Sequence, residues 1–268
     1  MARKFQQIYL EITNICNLSC YFCRKDSRKK EYMDFESFKK YIELCSPFTD
    51  SFYLHLKGEP LIHPDIVKIL DFLDELKIKT KITTNGTYLN KLGDELLRHQ
   101  NIKHINVSLQ AISALKEEEI ADYLHNLLAF TNKINNQYIH LRNWINSDTI
   151  FNYISKIYPN LKNEDNYLIN NHLIYHLSTP FVWPNDEEKI QDNTPCLGGK
   201  MQLGVLVNGD VVLCCLDDEG KTKIGNLNNE TLDEILQSEI YHLSIDKMPY
   251  FALCKKCRFR IRFKKEDV

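Results

Sequence analysis

The chain has 268 residues, of which 43% are hydrophobic and 26% are charged. This length exceeds one average domain and falls short of two, so we expect a main domain with a smaller one attached. The 34 Lys and Arg residues nearly balance the 36 Asp and Glu residues, giving a formal net charge of −2. That balance excludes a global positive field for nucleic acid or an anionic membrane. With only 9 Gly and 8 Pro, the composition also excludes a collagenous or disordered chain.

Two features of the sequence predict a cytoplasmic protein. No apolar run approaches the roughly 18 residues that a membrane-spanning helix needs. The N-terminal segment has neither the apolar stretch nor the small-residue cleavage site of a signal peptide. The chain also contains 9 cysteines. Because thiols stay reduced in the cytoplasm, metal binding or redox chemistry explains them better than structural disulfides do.

Short apolar strands alternate with amphipathic helices along most of the chain. We expect strands over residues 7–13, 51–56, 80–84, 104–109, 138–144 and 173–177, and helices over residues 34–45, 65–76, 91–99, 115–133 and 149–158. This alternation predicts an α/β fold with a parallel sheet and crossover helices. Such sheets bind their ligands at the carboxyl ends of the strands, where polar candidate residues occur in this sequence.

The pattern changes after a polar segment at residues 186–194. Asn208-Gly209 lies between two apolar runs and predicts a β-hairpin with a type I′ turn. Thr231 and Glu234 have the spacing of a capping box at the start of a helix. We therefore expect two domains, residues 1–185 and residues 186–268, the second a small hairpin and helix domain.

Three cysteines follow the first predicted strand with the spacing C-x3-C-x2-C, namely Cys16, Cys20 and Cys23. Three thiolates on one loop can hold an iron–sulfur cube and leave its fourth iron without a protein ligand. An open coordination position of this kind lets a metal bind a small molecule directly. The alternative is a zinc site completed by a distant Cys or His.

This motif resembles the signature of the radical S-adenosylmethionine (SAM) superfamily, because an aromatic residue, Phe22, lies between Cys20 and Cys23. The resemblance covers about residues 7–178 and implies a partial (β/α)6 barrel. It also implies two cofactors, SAM and a [4Fe–4S] cluster held by the three cysteines. Phe22 would then pack beside the adenine of SAM, although a plain packing role in the loop is the alternative.

Further segments at successive strand ends are similar to the SAM contacts of that superfamily. Gly58-Glu59-Pro60 resembles the motif for the methionine amino group, and Thr84-Asn85-Gly86 resembles a pattern around the ribose. The remaining implied contacts, with ribose or carboxylate, are Ser108, Gln110 and Arg142. Each motif alone is equally typical of an ordinary turn or strand end. Their joint order along the chain is what a single SAM-binding face requires.

A second set of cysteines lies in the predicted C-terminal domain. The spacing Cys196-x12-Gly209-x4-Cys214, followed by Cys254 and Cys257, resembles the SPASM extension in its truncated Twitch form. This resemblance implies one auxiliary [4Fe–4S] cluster, and a four-cysteine zinc site is the alternative. Adjacent residues on a strand point to opposite faces, so only one of Cys214 and Cys215 is expected to join the cluster.

The resemblance implies a radical SAM oxidoreductase that cleaves SAM reductively to a 5′-deoxyadenosyl radical. The radical would abstract hydrogen from a small-molecule or peptide substrate, with the auxiliary cluster as electron acceptor and a flavodoxin or ferredoxin as donor. The length and cysteine layout are similar to those of the 2-deoxy-scyllo-inosamine dehydrogenases. Two alternatives remain open: a non-oxidative peptide epimerase or crosslinking enzyme, and a non-catalytic zinc-binding or electron-carrier protein.

Overall fold

The computed structural model describes residues 5–25, 27–177, 183–184 and 196–257. In chain order, the strands are β1 Gln7–Leu10, β2 Ser51–Tyr53, β3 Lys79–Thr84, β4 Ile102–Ser108, β5 Tyr138–Asn143, β6 Tyr167–Asn170, β7 Leu173–Leu177, β8 Gln202–Val205, β9 Asp210–Val212 and β10 Lys223–Asn226. The α-helices are α1 Phe35–Cys45, α2 Ile66–Glu75, α3 Leu89–Arg98, α4 Glu117–Thr131, α5 Asp148–Ile157, α6 Leu232–Gln237, α7 Glu239–Asp246 and α8 Ala252–Lys255. Every helix in these ranges is too short or too polar to span a bilayer.

The chain divides into two units. The first comprises Met1–Ile15, Lys25–Gly58 and Val182–Val268, and the second comprises Cys16–Arg24 and Glu59–Phe181. The domain boundary expected at residues 185–186 lies outside the described residues and stays a prediction.

In the first unit the strand order is β10-β9-β8-β1-β2. Strand β1 is parallel to both β2 and β8, whereas β9 is antiparallel to β8 and β10. Helix α1 leads from β1 to β2 and begins after Asp34, whose carboxylate accepts a hydrogen bond from the backbone N–H of Ser37 at 2.9 Å. Its apolar face is fully buried and carries Phe38, Tyr41, Ile42 and Cys45. Cys45 is therefore a packing residue.

The second unit has the strand order β3-β4-β5-β7-β6. Strands β3, β4, β5 and β7 are parallel, which confirms the predicted arrangement. The antiparallel edge strand β6 was not predicted, because it has only four residues and its apolar run Tyr167-Leu168-Ile169 lacks the alternation typical of a half-buried strand. One face of the sheet is apolar and fully buried, with Ile82, Ile105, Ile139, Leu141 and Tyr175. Burying such side chains contributes about 1.5–3 kcal/mol each.

The hairpin formed by β8 and β9 differs from its predicted turn type. A type I′ turn needs a left-handed backbone at both central residues, but of the pair Asn208-Gly209 only Gly209 is left-handed, with φ +85°. The backbone N–H of Leu206 donates to the carbonyl of Asp210 at 2.9 Å, which leaves a three-residue loop. The glycine is needed at the left-handed position of this longer loop. The predicted hairpin is therefore correct, and its two-residue type I′ turn is wrong.

The capping box expected before α6 is confirmed. The backbone N–H of Glu234 donates to the Thr231 hydroxyl at 3.3 Å, and the backbone N–H of Thr231 donates to the Glu234 carboxylate at 2.7 Å. These two bonds satisfy backbone donors that have no partner within the helix.

Candidate functional site

The first three cysteines lie close together on the loop Cys16–Arg24 of the second unit. All three are free thiols. Burial, together with the nearby Cys16 and Cys23, raises the pKa of Cys20 to about 11. Burial is also the largest cause of the raised pKa of Cys16. Crowded thiols are costly to ionise together unless a cation neutralises them, so the set fits a metal cluster that binds all three.

Asn85 connects this loop to the end of β3. Its side-chain amide donates to the Cys16 sulfur at 3.8 Å and to the side-chain oxygen of Asn17 at 2.9 Å. The side-chain amide of Asn17 in turn donates to the Thr87 hydroxyl at 2.9 Å. The sequence predicted Asn85 but gave no sign of Asn17 or Thr87. Their contribution arises from contacts about 70 residues apart, which no local motif encodes.

Glu59 is buried directly beneath the same turn, with 1% of its surface exposed. Its carboxylate accepts hydrogen bonds from the backbone N–H of Leu61 at 3.0 Å, the Thr84 hydroxyl at 2.8 Å and the backbone N–H of Asn85 at 2.6 Å. Burial raises the pKa of Glu59 to about 7, although these three bonds oppose the rise. The carboxylate therefore fixes the backbone of the Thr84–Asn85 turn.

Two predicted glycines occupy positions that no other residue fits. Gly58 has φ +76°, and a Cβ there would lie 2.4 Å from the carbonyl oxygen of Thr13 and 2.8 Å from that of Ile15. Gly86 has φ +84°, and a Cβ there would lie 2.9 Å from the Tyr123 hydroxyl. That hydroxyl donates to the backbone carbonyl of Asn85 at 3.2 Å. Tyr123 on α4 is a further site residue that the sequence did not reveal.

The other predicted SAM contacts lie near the carboxyl ends of neighbouring strands. Ser108 ends β4 and pairs in register with Arg142 on β5. Gln110 lies in a short 3₁₀ helix after β4 and is 6% exposed. Its side-chain oxygen is buried and has no hydrogen-bond partner among the described residues. A buried acceptor without a donor is costly, so Gln110 fits a ligand that brings a hydroxyl or an ammonium group.

Two predicted contacts are less informative. Pro60 is buried and begins the 3₁₀ helix Pro60–Ile62, so its position is explained by local structure. Phe22 is half-buried and lies edge-on to Tyr21, with ring centroids 5.7 Å apart.

The second cysteine set converges in the first unit. Burial raises the pKa of Cys214 well above its usual range, and the nearby Cys215, Cys196 and Cys254 add to the rise. Burial also raises the pKa of Cys215 to about 11, with smaller contributions from Cys257 and Cys196. All five cysteines therefore share one neighbourhood.

Strand alternation does not separate Cys214 from Cys215, so the reason given for that expectation is wrong, and the expectation that only one of them joins the cluster stays a prediction. Strand β9 ends at Val212, and both cysteines lie in the bend and turn that follow it. The two thiols differ in their surroundings instead, because Cys215 is hydrogen-bonded to Tyr9. A set of four further cysteines fits a cluster whose ligands all come from the protein.

Comparison with known proteins identifies the class. Residues 10–139 match the radical SAM superfamily, and residues 196–258 match SPASM, an iron–sulfur cluster-binding domain. The chain belongs to the radical SAM superfamily and carries a C-terminal SPASM domain. Its mixed α/β fold is the partial barrel of that superfamily with a small C-terminal hairpin domain. Its cofactors are SAM and a [4Fe–4S] cluster, and the SPASM domain implies an auxiliary iron–sulfur cluster.

Two curated relatives each match less than half of the chain. A probable GTP 3′,8-cyclase from Methanococcus maripaludis is 29% identical over 123 residues, which is 44% of this chain and 41% of that protein. The corresponding protein of Methanocaldococcus jannaschii is 30% identical over 116 residues, or 42% of this chain and 39% of that protein. The chain thus spans about two fifths of the length of these curated relatives.

Solved structures match over nearly the whole chain and show the fold. BtrN in complex with AdoMet and 2-DOIA has a TM-score of 0.60 at 18% identity, covering 96% of this chain and 94% of that one. The protein anSMEcpe with bound AdoMet has a TM-score of 0.61 at 18% identity, covering 98% of this chain and 91% of that one. Streptococcus suis SuiB bound to the precursor peptide SuiA has a TM-score of 0.64 at 17% identity, covering 95% of this chain and 71% of that one.

Proposed function

We propose that this protein is an oxidoreductase that removes a hydrogen atom from its substrate and passes one further electron to an auxiliary [4Fe–4S] cluster. For an alcohol, the net change is a carbonyl product, one hydrogen atom transferred, one electron accepted and one proton released. The observation that carries the proposal is the second cysteine set, in which Cys214 adjoins Cys196 and Cys254. A cluster with four protein ligands can accept an electron but has no open iron for substrate.

We assign the cluster ligands and SAM contacts as the sequence predicted them. Cys16, Cys20 and Cys23 would hold the SAM-binding cluster, and Cys196, Cys214, Cys254 and Cys257 the auxiliary cluster. The SAM contacts would be Phe22, Gly58, Glu59, Pro60, Thr84, Asn85, Gly86, Ser108, Gln110 and Arg142. When bound, the first cluster and SAM supply a carbon radical that takes a hydrogen atom from the substrate.

The chain's own residues position these groups. Glu59 fixes the turn that carries Asn85, and the Asn85 side chain in turn holds the Cys16 sulfur. The unpaired side-chain oxygen of Gln110 would accept a hydrogen bond from a ribose hydroxyl. The planar guanidinium of Arg142 is suited to binding a carboxylate with two bonds.

The substrate class and partners belong to the same proposal. BtrN is solved with 2-DOIA and SuiB with a precursor peptide, so both a small molecule and a peptide side chain fit this fold. We propose a flavodoxin or a ferredoxin as electron donor, and a cytoplasmic location, where the free cysteines stay reduced. The likeness to SuiB favours a second candidate, non-oxidative peptide modification.

Anaerobic reconstitution with iron and sulfide tests the proposal. Release of 5′-deoxyadenosine that depends on dithionite supports radical chemistry, whereas zinc in both cysteine sets with no nucleoside formed contradicts it. Candidate amino alcohols and peptides labelled with deuterium at the reacting carbon are then supplied. Label in 5′-deoxyadenosine together with a product lighter by two hydrogens supports oxidation. Uptake of solvent deuterium into an otherwise unchanged product supports epimerisation instead.

A further inference from the structure

The second unit presents a row of basic side chains on the polar face of its parallel sheet. We call Lys81, His104, His140, Arg142 and His176 the cationic face. All five are half-buried, and they come from four neighbouring strands, β3, β4, β5 and β7. Lys81 pairs in register with His104, and Arg142 pairs with His176. Because residues alternate along each strand, these side chains face away from the apolar core of the sheet.

The three histidines form a hydrogen-bonded ladder across this face. His104 Nδ1 lies 3.0 Å from His140 Nε2, and His140 Nδ1 lies 2.8 Å from His176 Nε2. At the far end, His176 Nδ1 lies 3.6 Å from a carboxylate oxygen of Asp165, a half-exposed residue. One assignment of ring protons satisfies every contact in the ladder. Each neutral ring carries its proton on Nδ1, so that His104 donates to His140, His140 to His176, and His176 toward Asp165. That assignment leaves Nε2 of His104 as an acceptor at the other end.

The electrostatic surroundings of the ladder are predominantly positive. Burial, together with the neighbouring His176, Arg142 and His104, lowers the pKa of His140 to about 3. Burial, Lys81 and Arg142 lower the pKa of His104 in the same way. The carboxylate that opposes this effect is Asp165, which acts on His176. Among the described residues, the titratable and charged groups that act on the ladder or adjoin it include Lys79 and Lys81 from β3, Tyr138 and Arg142 from β5, and Asp165 from the segment before β6.

We propose that the cationic face binds an oxyanion of the substrate, a phosphate or carboxylate group, and that the histidine ladder takes up a proton as the anion binds. Arg142 is also an assigned SAM contact, so Lys81 and a protonated imidazole of the ladder supply the positive charge for the substrate's anion within this half-buried face. The bound anion stabilises an imidazolium, and the ladder connects that charge to the half-exposed Asp165. This proposal rests on the proposed function and names its substrate class.

The test is calorimetric titration of the reconstituted enzyme with inorganic pyrophosphate and, separately, with malonate. Its clusters are kept oxidised, SAM is saturating, and no reductant is present, so no turnover occurs. Two buffers with different protonation enthalpies report the protons taken up. We expect binding of at least one anion, with net proton uptake at pH 7. The preferred anion then shows whether the substrate carries a phosphate or a carboxylate.

Four variants locate the site. Lys81→Met should weaken anion binding by about tenfold or more, the effect of losing one close charge. Lys103→Met is the matched control. Lys103 precedes His104 on β4 and its side chain is exposed, so its substitution should leave anion binding unchanged. His140→Gln should retain binding within a few fold but lose the proton uptake. SAM binding reports whether the His140 variant folds. If it does not fold, His104→Gln tests the loss of proton uptake instead.

Three results would overturn the inference: no binding of either anion, an equal loss in the Lys103 control, or anion binding that is seen only when SAM is left out of the titration. The last would mean that the face holds only the SAM carboxylate. Because the titration needs no catalysis, its failure is separate from a failure of the proposed function. An enzyme that binds pyrophosphate but forms no 5′-deoxyadenosine would contradict the proposed function and leave the anion site standing.

Discussion

The side-chain carboxylate of Glu59 accepts a hydrogen bond at 2.6 Å from the backbone N–H of Asn85. Through this bond a residue before α2 fixes the turn that follows β3. The Asn85 side chain then reaches the Cys16 sulfur at 3.8 Å. The geometry of the first cysteine therefore depends on a carboxylate two contacts away.

Replacing Glu59 with Gln should weaken this arrangement. Gln keeps the size of the side chain, but its amide nitrogen cannot accept the bonds that both carboxylate oxygens now accept. A buried donor left without a partner costs about 1–3 kcal/mol in the free energy of unfolding. Urea denaturation of the metal-free protein below pH 4.5 measures this loss, because Glu59 is protonated there and both of its oxygens can still accept. A calorimetric titration should show weaker SAM binding in the reconstituted enzyme.

The control for this change is Glu75→Gln, on the exposed end of α2. It should alter neither stability nor SAM binding. Equal effects in both variants would mean that a general loss of charge, and not the buried carboxylate, is responsible.

The pH dependence of stability should also depend on Glu59. Its pKa is raised from 4.5 to about 7 in the folded protein, so the native state holds the proton more tightly than the unfolded state. Stability is then fully present below about pH 4.5 and falls as pH rises toward about 7. The whole change amounts to about 3 kcal/mol at 1.36 kcal/mol per pKa unit. Denaturation of metal-free protein across this range should show the fall, and the Glu59→Gln variant should lack this component.

Gly58→Ala should destabilise the protein by about 2–5 kcal/mol, combining a left-handed backbone with overlap on a neighbouring carbonyl. The added Cβ would lie 2.4 Å from the Thr13 carbonyl oxygen. Gly220→Ala is the matched control, since Gly220 has a similar φ of +73° but its Cβ would meet nothing closer than 3.5 Å. That variant should lose only about 1–2 kcal/mol. Equal losses in thermal or urea unfolding would rule out the steric argument.

Cys214→Ala and Cys215→Ala should differ in iron content. Removing a ligand should empty the auxiliary site, leaving about four irons per chain instead of about eight. Cys215 is hydrogen-bonded to Tyr9 and should be dispensable for cluster binding. Iron and sulfide analysis after anaerobic reconstitution distinguishes the two variants. Loss of iron in the Cys215 variant with retention in the Cys214 variant would reverse the assignment.

Local sequence patterns predicted most of the fold correctly. The parallel strands and their helices follow from apolar periodicity, which reports the buried side of each element. The edge strand β6 was not predicted because it has only four residues, and its three consecutive apolar residues do not alternate with polar ones. The turn after β8 was assigned the wrong type because Asn208-Gly209 suits both a two-residue and a three-residue loop. Only the register of the two strands distinguishes these loops.

The sequence by itself determined which cysteines can act as ligands, because their spacing along short segments fixes what they can reach. It also placed Gly58, Glu59 and Asn85 at successive strand ends. Only the tertiary structure decided that Glu59 holds the Asn85 turn, that Tyr123 supports it, and that three histidines align across β4, β5 and β7. These contacts join residues from about 25 to 40 positions apart. They depend on strand register and burial, which arise when the sheet assembles and leave no periodic trace in the chain.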